Sequence, residues 1–348
     1  RVPLALSVTR DPADAPALEA EYARSPSDAR TAQALAEIYI AEKKFDEAQR
    51  VLVRACTADP TVRKLWELRA TATIDLVDQE QVFRGMVRQF PDEPRYVLQL
   101  GENLLDQDRP ADAAAVLQGL RDSTQPKIRA AALVTLAHCD MAVDEPKKAL
   151  RRLRDAMKAD PDGFNADAWF LKAQAHEALH ESAPAIEAYR RALADEEAVD
   201  ALAALTRLLI ATGQKADAVG TFRRLCAAIS KDPGELAVAA DLAVRLERYE
   251  DALDLADLAR ADRGALHPLA HRPLGLARFH RREYAQAAEE LERAEPDAEV
   301  LVSLVHALVR LGRLAEAERQ LARFDAVEPT PETRDARAWV RSIAHRRD

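Results

Sequence analysis

Glycine is scarce in this sequence, with 10 in 348 residues. A loop that cradles phosphate needs glycines so that bare backbone can approach the anion, and the scarcity argues against a nucleotide or dinucleotide site. No Gly-rich phosphate loop, Walker-type lysine, serine nucleophile elbow or Cys-x-x-Cys pair is present, so nothing supports an enzyme and no cofactor is expected. Aromatic residues make up only 5% of the chain, and no stretch approaches the ~18 apolar residues of a membrane span. Cysteine is limited to Cys56, Cys139 and Cys226. Each lies inside a helical apolar pattern, and the three are expected to be buried free thiols. Unpaired cysteines lean toward a reducing compartment such as the cytoplasm, because an oxidising one usually pairs them. The sequence also lacks an initiator methionine, and the opening from Arg1 to Val8 is too short for a signal-peptide core. The expectation is a processed form or a piece of something longer, such as the regulatory or sensor arm of a multidomain signalling protein.

What is present is helix-forming material. Hydrophobic residues are 48% and charged residues 31% of the chain, dominated by Ala, Leu, Glu and Arg, which enter helices at little cost. The net charge of −9 and pI near 5.5 set up a field that repels phosphate backbones and anionic lipid. Neither nucleic acid nor membrane is therefore expected as a partner. The basic doublets Arg151-Arg152, Arg190-Arg191 and Arg223-Arg224 read as solvated outer faces of helices.

Aligned against itself, the sequence repeats about every 34 residues, a period that belongs to stacked helix pairs. Repeats start at Ala29, Arg63, Pro94, Ala130, Ala166, Val199, Pro233, Pro268 and Ala298. A small residue falls near position eight: Ala36, Ala70, Gly101, Ala137, Ala173, Thr206, Ala240 and Gly275, with Val305 the exception. Twelve residues later stand Ala48, Ala113, Ala149, Ala185, Ala218, Ala252, Ala287 and Ala317, broken only by Val82. Two facing small side chains let antiparallel helices approach closely while larger neighbours fill the groove. The larger ones include Leu35 and Tyr39 on one first helix, and Leu52, Met86, Leu117, Leu153, Tyr189, Phe222, Leu291 and Leu321 on the second helices. Asp59-Pro60, Asp160-Pro161, Asp232-Pro233, Glu295-Pro296 and Glu328-Pro329 punctuate the repeats, since proline cannot continue a helix.

This pattern of a small residue at eight, Ala at twenty, an aromatic or Leu at twenty-four and Pro near thirty-two resembles the tetratricopeptide repeat family. The likeness runs over residues 29–329, and Ala29 to Pro60 and Ala130 to Pro161 match best. The resemblance implies an all-α, right-handed α-solenoid of about nine helix-turn-helix repeats. Residues 1–28 would form a lead-in, whether a cap or half of an earlier repeat, and 330–348 a C-terminal capping helix with Ala336, Trp339, Val340 and Ile343 on one stripe. Val82, Ala256 and Arg278 depart from the family pattern and predict looser packing or a bend in their repeats.

In function the resemblance implies a protein-interaction scaffold that holds a partner protein or peptide along the first helices, where positions two, five, nine and twelve face inward. Those positions nominate Leu98, Glu102, Leu105, Val134, His138, Met141, Phe170, Gln174 and Arg207 as the partner-binding groove. Leu98, Leu105, Val134, Met141 and Phe170 would seat a partner's hydrophobic anchors, or else cover seams between repeats. The two-carboxylate clamp of chaperone-tail binders is missing. Gln33, Glu37, Glu67, Thr71, Leu98 and Glu102 stand at its positions, so a C-terminal Glu-Glu-Val-Asp tail is not expected as ligand.

One motif points to different chemistry. His176-Glu177-Ala178-Leu179-His180 fits HExxH, in which two imidazoles one helical turn apart hold zinc and the Glu activates a water. A zinc-dependent hydrolase is thus an alternative. Against it, the family register puts His176 at a packing position and His180 in the turn between helices. A third ligand among Glu196, Glu197 and Asp200 has no motif around it. His267, His271 and His280, interrupted by Pro268 and Pro273, read as loop and helix-entry residues rather than as a metal site.

Overall fold

A computed structural model describes residues 11–194, 197–260, 264–326 and 330–344, with backbone alone for 325, 326, 341, 343 and 344. The chain divides into two compact units, Arg1–His180 and Glu181–Asp348. Both are built from α-helices, and no strand occurs among the described residues. The fold is an all-α solenoid, as the period requires.

The first unit contains α1 (Ala15–Arg24), α2 (Ala29–Ala41), α3 (Phe45–Ala58), α4 (Arg63–Ala72), α5 (Leu76–Gln89), α6 (Pro94–Asp106), α7 (Pro110–Leu117), α8 (Pro126–Ala142), α9 (Pro146–Ala159) and α10 (Ala166–Ala178). The second contains α11 (Ser182–Ala192), α12 (Val199–Ala211), α13 (Lys215–Ala228), α14 (Pro233–Arg245), α15 (Tyr249–Leu258), α16 (His271–His280), α17 (Tyr284–Arg293), α18 (Ala298–Arg310), α19 (Leu314–Leu321) and α20 (Pro331–Ala344). Boundaries follow local chemistry. The side chains of Asp28, Asp75, Asn165, Asp232 and Asp297 cap the N-termini of α2, α5, α10, α14 and α18 by accepting from backbone N–H groups. Proline sits in the first turn of α6, α7, α8, α9 and α14, where its missing N–H is not needed. Proline also moves the fourth repeat's start, because α8 begins at Pro126, four residues ahead of Ala130. The Glu328-Pro329 mark lies outside the described residues.

Packing explains the periodic small residues. Ala48, Ala113, Ala149, Ala185, Ala218, Ala252, Ala287 and Ala317 are all fully buried at 0% exposure. A Cβ placed on Gly101 would lie 2.7 Å from the side chain of Leu117 across the hairpin, and one on Gly275 would meet Leu291 at the same distance. The helices touch at these positions, so only the smallest side chains fit. Larger neighbours complete the seam: Leu52, Met86, Leu117, Leu153, Tyr189, Phe222 and Leu291 are buried.

Seven hairpins share one turn. Lys43, Asp108, Asp144, Gly213, Glu247, Arg282 and Gly312 adopt positive φ. In each case the next residue donates its N–H to a carbonyl five residues back, as in Lys44 to Tyr39 at 2.8 Å and Arg313 to Leu308 at 2.9 Å. This is the Schellman arrangement, which satisfies carbonyls that a helix end leaves orphaned.

The expected loose repeats are not loose at the positions that signalled them. Val82 and Ala256 are buried. Val82 is accommodated because the small residue has moved to Gly85, whose Cβ would collide with the Trp66 ring. Arg278, where the family has Tyr, reaches Glu290 at 3.6 Å, and Glu290 also takes His271 Nδ1 at 2.7 Å. The cysteine expectation needs one correction: Cys56 and Cys139 are buried, but Cys226 is exposed. It follows the buried Leu225 and so turns onto the outer side of α13. Burial pushes the Cys56 and Cys139 thiols up to about 11.

Leu18 and Tyr22 of α1 pack against the core of α2 and α3, and the Tyr39 hydroxyl donates to Glu19 at 2.7 Å. At the other end α20 packs on α18 and α19 through buried Ala336 and Val340. The side chain of Ile343, expected on the same stripe, is outside the description.

Candidate partner-binding face

First helices α6, α8 and α10 line a groove of about 460 Å³ together with the loop before α10. Of the nominated residues, Glu102, Leu105, Val134 and His138 line it. Leu105 and Val134 are half-buried and His138 is exposed. Met141 and Phe170 are half-buried and Gln174 exposed, but none of the three lines this groove. Leu98 is the clearest departure. It is 8% exposed and packs with Leu117, Ala132 and Leu136, so it covers a seam between repeats. Arg207 is exposed on α12 and belongs to the second unit.

The spacing rule missed the loop that forms one wall. Asp160, Gly163, Phe164 and Asn165 line the groove with Asp106, Lys127 and Asp167. Asp160 Oδ1 accepts from the Gly163 N–H at 3.2 Å, and Asn165 caps α10 by accepting from Ala168 at 3.1 Å. Phe164 is buried edge-on against Trp169, with ring centroids 5.1 Å apart. The only sequence signal for this wall was Asp160-Pro161 followed by an isolated aromatic. Four carboxylates, Glu102, Asp106, Asp160 and Asp167, face one lysine and one histidine over an apolar floor. Although water reaches its ring, His138 is crowded by protein. Burial holds its imidazole below the ordinary value, and Asp167 opposes that shift.

Models of the tetratricopeptide repeat match residues 29–72, 134–196 and 238–299. The chain carries tetratricopeptide repeats. Among solved structures, a chain from the APC/C hetero-tetramer Cut9-Hcn1 is 14% identical with a TM-score of 0.58, over 89% of this chain and 75% of that one. A tetratricopeptide repeat protein from Parabacteroides merdae ATCC 43184 is 15% identical with a TM-score of 0.52, over 71% of this chain and 98% of that one. At such identities the likeness speaks for the fold. No curated protein matches the chain. Tetratricopeptide arrays serve in general as protein-interaction scaffolds.

The family register accounts for the HExxH segment. Helix α10 ends at Ala178, and His180 sits beyond it with φ of 57°. Gly213 and Gly312 adopt the same left-handed conformation in the turns after α12 and α18. The two imidazoles therefore do not share a continuous helical face, as zinc binding by this motif requires. Glu197 is engaged with Arg224 at 2.8 Å, and Glu196 lies outside the described residues. Among those residues no three His, Cys, Asp or Glu side chains converge on a point that could hold a metal. The other histidines have separate employment. His267 accepts from Leu269 N–H at 3.4 Å, His271 bonds Glu290, and His280 stacks on Tyr249 with centroids 4.4 Å apart. No helix among the described residues is long and apolar enough to cross a membrane.

Proposed function

We propose that this tetratricopeptide array is a non-catalytic scaffold that grips a segment of a partner protein along its first-helix face. The observation that carries the reading is the 460 Å³ groove, in which Leu105, Val134 and Phe164 form an apolar floor beneath a polar rim. Such a surface suits an extended or helical segment, whose apolar side chains enter the floor while its polar groups meet the rim. Met141, Phe170 and Gln174 would extend the contact within the first unit, and Arg207 would be a partner contact on the second. In this reading one series of repeats runs over residues 29–329, with 1–28 as lead-in and 330–348 as the cap.

The test is a peptide-display selection against the wild-type protein, followed by affinity measurement on variants. Val134→Asp is expected to weaken the selected peptides at least about tenfold, because it places an unpaired charge in the apolar floor. Phe170→Ala is expected to weaken them in the first unit, and Arg207→Glu to weaken any contact made by the second, while circular dichroism and melting stay unchanged. Peptides that bind Val134→Asp as tightly as wild type would place the partner elsewhere.

A further inference from the structure

The three basic doublets, alike in sequence, part company in the structure. Arg190 reaches Asp217 at 2.8 Å and Arg191 reaches Glu187 at 3.2 Å, so both members of that doublet are paired, and in the third doublet Arg224 takes Glu197 at 2.8 Å. The Arg151-Arg152 doublet is different. It lies on α9, which carries six Lys or Arg residues and a single acidic one, Asp155, in a chain whose net charge is −9.

Beside α9 is a cleft of about 560 Å³. Six cations line it, Arg121, Arg129, Lys148, Arg151, Arg152 and Lys158, against the two carboxylates of Asp122 and Asp155. One cation is held in place from below. Arg152 bonds through Nε to Asp140, whose side chain is only 5% exposed, and Lys148 reaches the other oxygen of Asp140 at 3.3 Å. Arg121 pairs with Asp122 at 2.9 Å. Among the described residues Arg129, Arg151 and Lys158 have no carboxylate within ion-pair distance.

We propose that this cleft is a second binding site, on a face other than the groove, for an acidic protein segment carrying a short run of Asp or Glu side chains. Clustered like charges repel one another, and a polyanion relieves that repulsion while it pairs with groups that have no carboxylate within ion-pair distance. Arg152, already oriented by a buried carboxylate, loses little freedom on binding. On α9 the cations of the cleft are Lys148, the Arg151-Arg152 doublet one turn of about 5.4 Å further on, and Lys158 two turns beyond, with Asp155 on the turn between. Alternate side chains of an extended segment recur every ~6.7 Å, so two acidic residues of one segment meet Lys148 and the doublet on adjacent turns. Nucleic acid fits less well. No aromatic ring lines the cleft for bases to stack on, Asp122 and Asp155 interrupt the cationic row, and the whole-chain charge opposes a long phosphate backbone.

The experiment uses the full chain and a labelled hexaglutamate peptide, followed by fluorescence anisotropy. Wild type is expected to bind it, with affinity that falls as salt rises from 50 to about 200 mM. Arg129→Glu with Arg151→Glu should lower affinity at least about tenfold. Arg190→Glu with Arg224→Glu, which changes net charge equally at arginines already paired with carboxylates, should change it less than about twofold. Neutral Arg129→Gln with Arg151→Gln, at an unchanged melting temperature, should reproduce most of the loss and so separates binding from folding. Three results would overturn the proposal: no binding of the peptide by wild type, equal losses in the two charge-reversed pairs, or tighter binding of hexathymidine than of hexaglutamate.

Discussion

Two hairpins solve the same geometric problem by different means. In α12–α13 the first helix ends in a left-handed Gly213, and Gln214 N–H closes onto Leu209 at 2.9 Å. Thr206 and Ala218 mark the close approach, both fully buried. In α4–α5 there is no left-handed residue, and Thr73 leaves α4 in extended backbone. Side chains take over the orphaned carbonyls instead. Gln79 donates to Ala70 and Thr73 at 3.0 and 3.2 Å, Gln49 donates to Arg69 at 3.0 Å, and Gln49 also bonds Thr73. The network continues outward, where Asn103 donates to Gln79 at 3.0 Å and Gln107 to Glu80 at 3.2 Å. Glu80, 4% exposed, also takes Arg84 and Arg109, each at 2.7 Å. What the repeat conserves is therefore satisfied helix ends and one point of close approach, and more than one residue set provides them.

The largest expected effect tests the close approach. Gly275→Val should destabilise the second unit by about 3 kcal/mol in urea unfolding, because Leu291 must move and the overpacked seam strains. Gly85→Val should do similar damage to the first unit. If it is tolerated, Trp66 is not the crossing point and the α4–α5 hairpin closes in some other way. Next comes the polar network. Glu80→Ala should lower stability by about 2 kcal/mol, since it leaves Gln107 and two arginines without their buried partner. A loss no larger than that of an exposed control such as Glu187→Ala would reduce the network to ornament. Smaller still is the turn. Gly213→Ala should destabilise by about 1 kcal/mol, and Asp144→Gly should stabilise by a similar amount, because both residues sit at positive φ. Thr73→Gly should instead destabilise, having no left-handed conformation to relieve. A gain there would erase the distinction between the two hairpins.

The register of small and large residues was readable because it repeats: Ala149 alone means nothing, but eight alanines in phase must share one environment. The turns were hidden by their residues. Glycine announces a left-handed position at Gly213 and Gly312, whereas Lys43, Asp108, Asp144, Glu247 and Arg282 adopt it under the pull of packed helices on both sides. The Glu80 network was invisible for another reason. Its bonds join residues 24 to 31 apart, and no local pattern links Gln79 with Asn103. In the groove, the positions that the family resemblance marks as inward include Glu102, Leu105, Val134 and His138, but they are counted on helices and so miss Asp160 and Phe164 of the loop. Leu98 shows the limit within helices. A position counted as inward by register is buried when the next repeat lies over it.

The smallest predicted effect is a pH dependence that compares the two units directly. His306 of α18 lies between Phe279 and Trp339, with centroids 6.4 and 4.6 Å away. Burial and then the nearby Arg310 hold its pKa below the ordinary value, as burial does for His138 in the first unit. A depressed imidazole stays neutral in the fold when the unfolded chain has already taken up its proton. The unfolded state thus binds more protons, and stability rises with pH across the window from the folded value up to about 6.5. Acidification from pH 7 through that window should therefore weaken both units, before the carboxylate Glu80 begins to protonate. Burial alone would raise the Glu80 pKa, but Arg84, Gln107 and Arg109 outweigh it and keep the group low, so its contribution is lost only at more acid pH. His306→Gln should flatten the dependence for α16–α20, read by hydrogen exchange of those helices, and leave that of α6–α10 as it was. His138→Gln should do the converse, and an equal change in both units from either substitution would mean that the titration is not local.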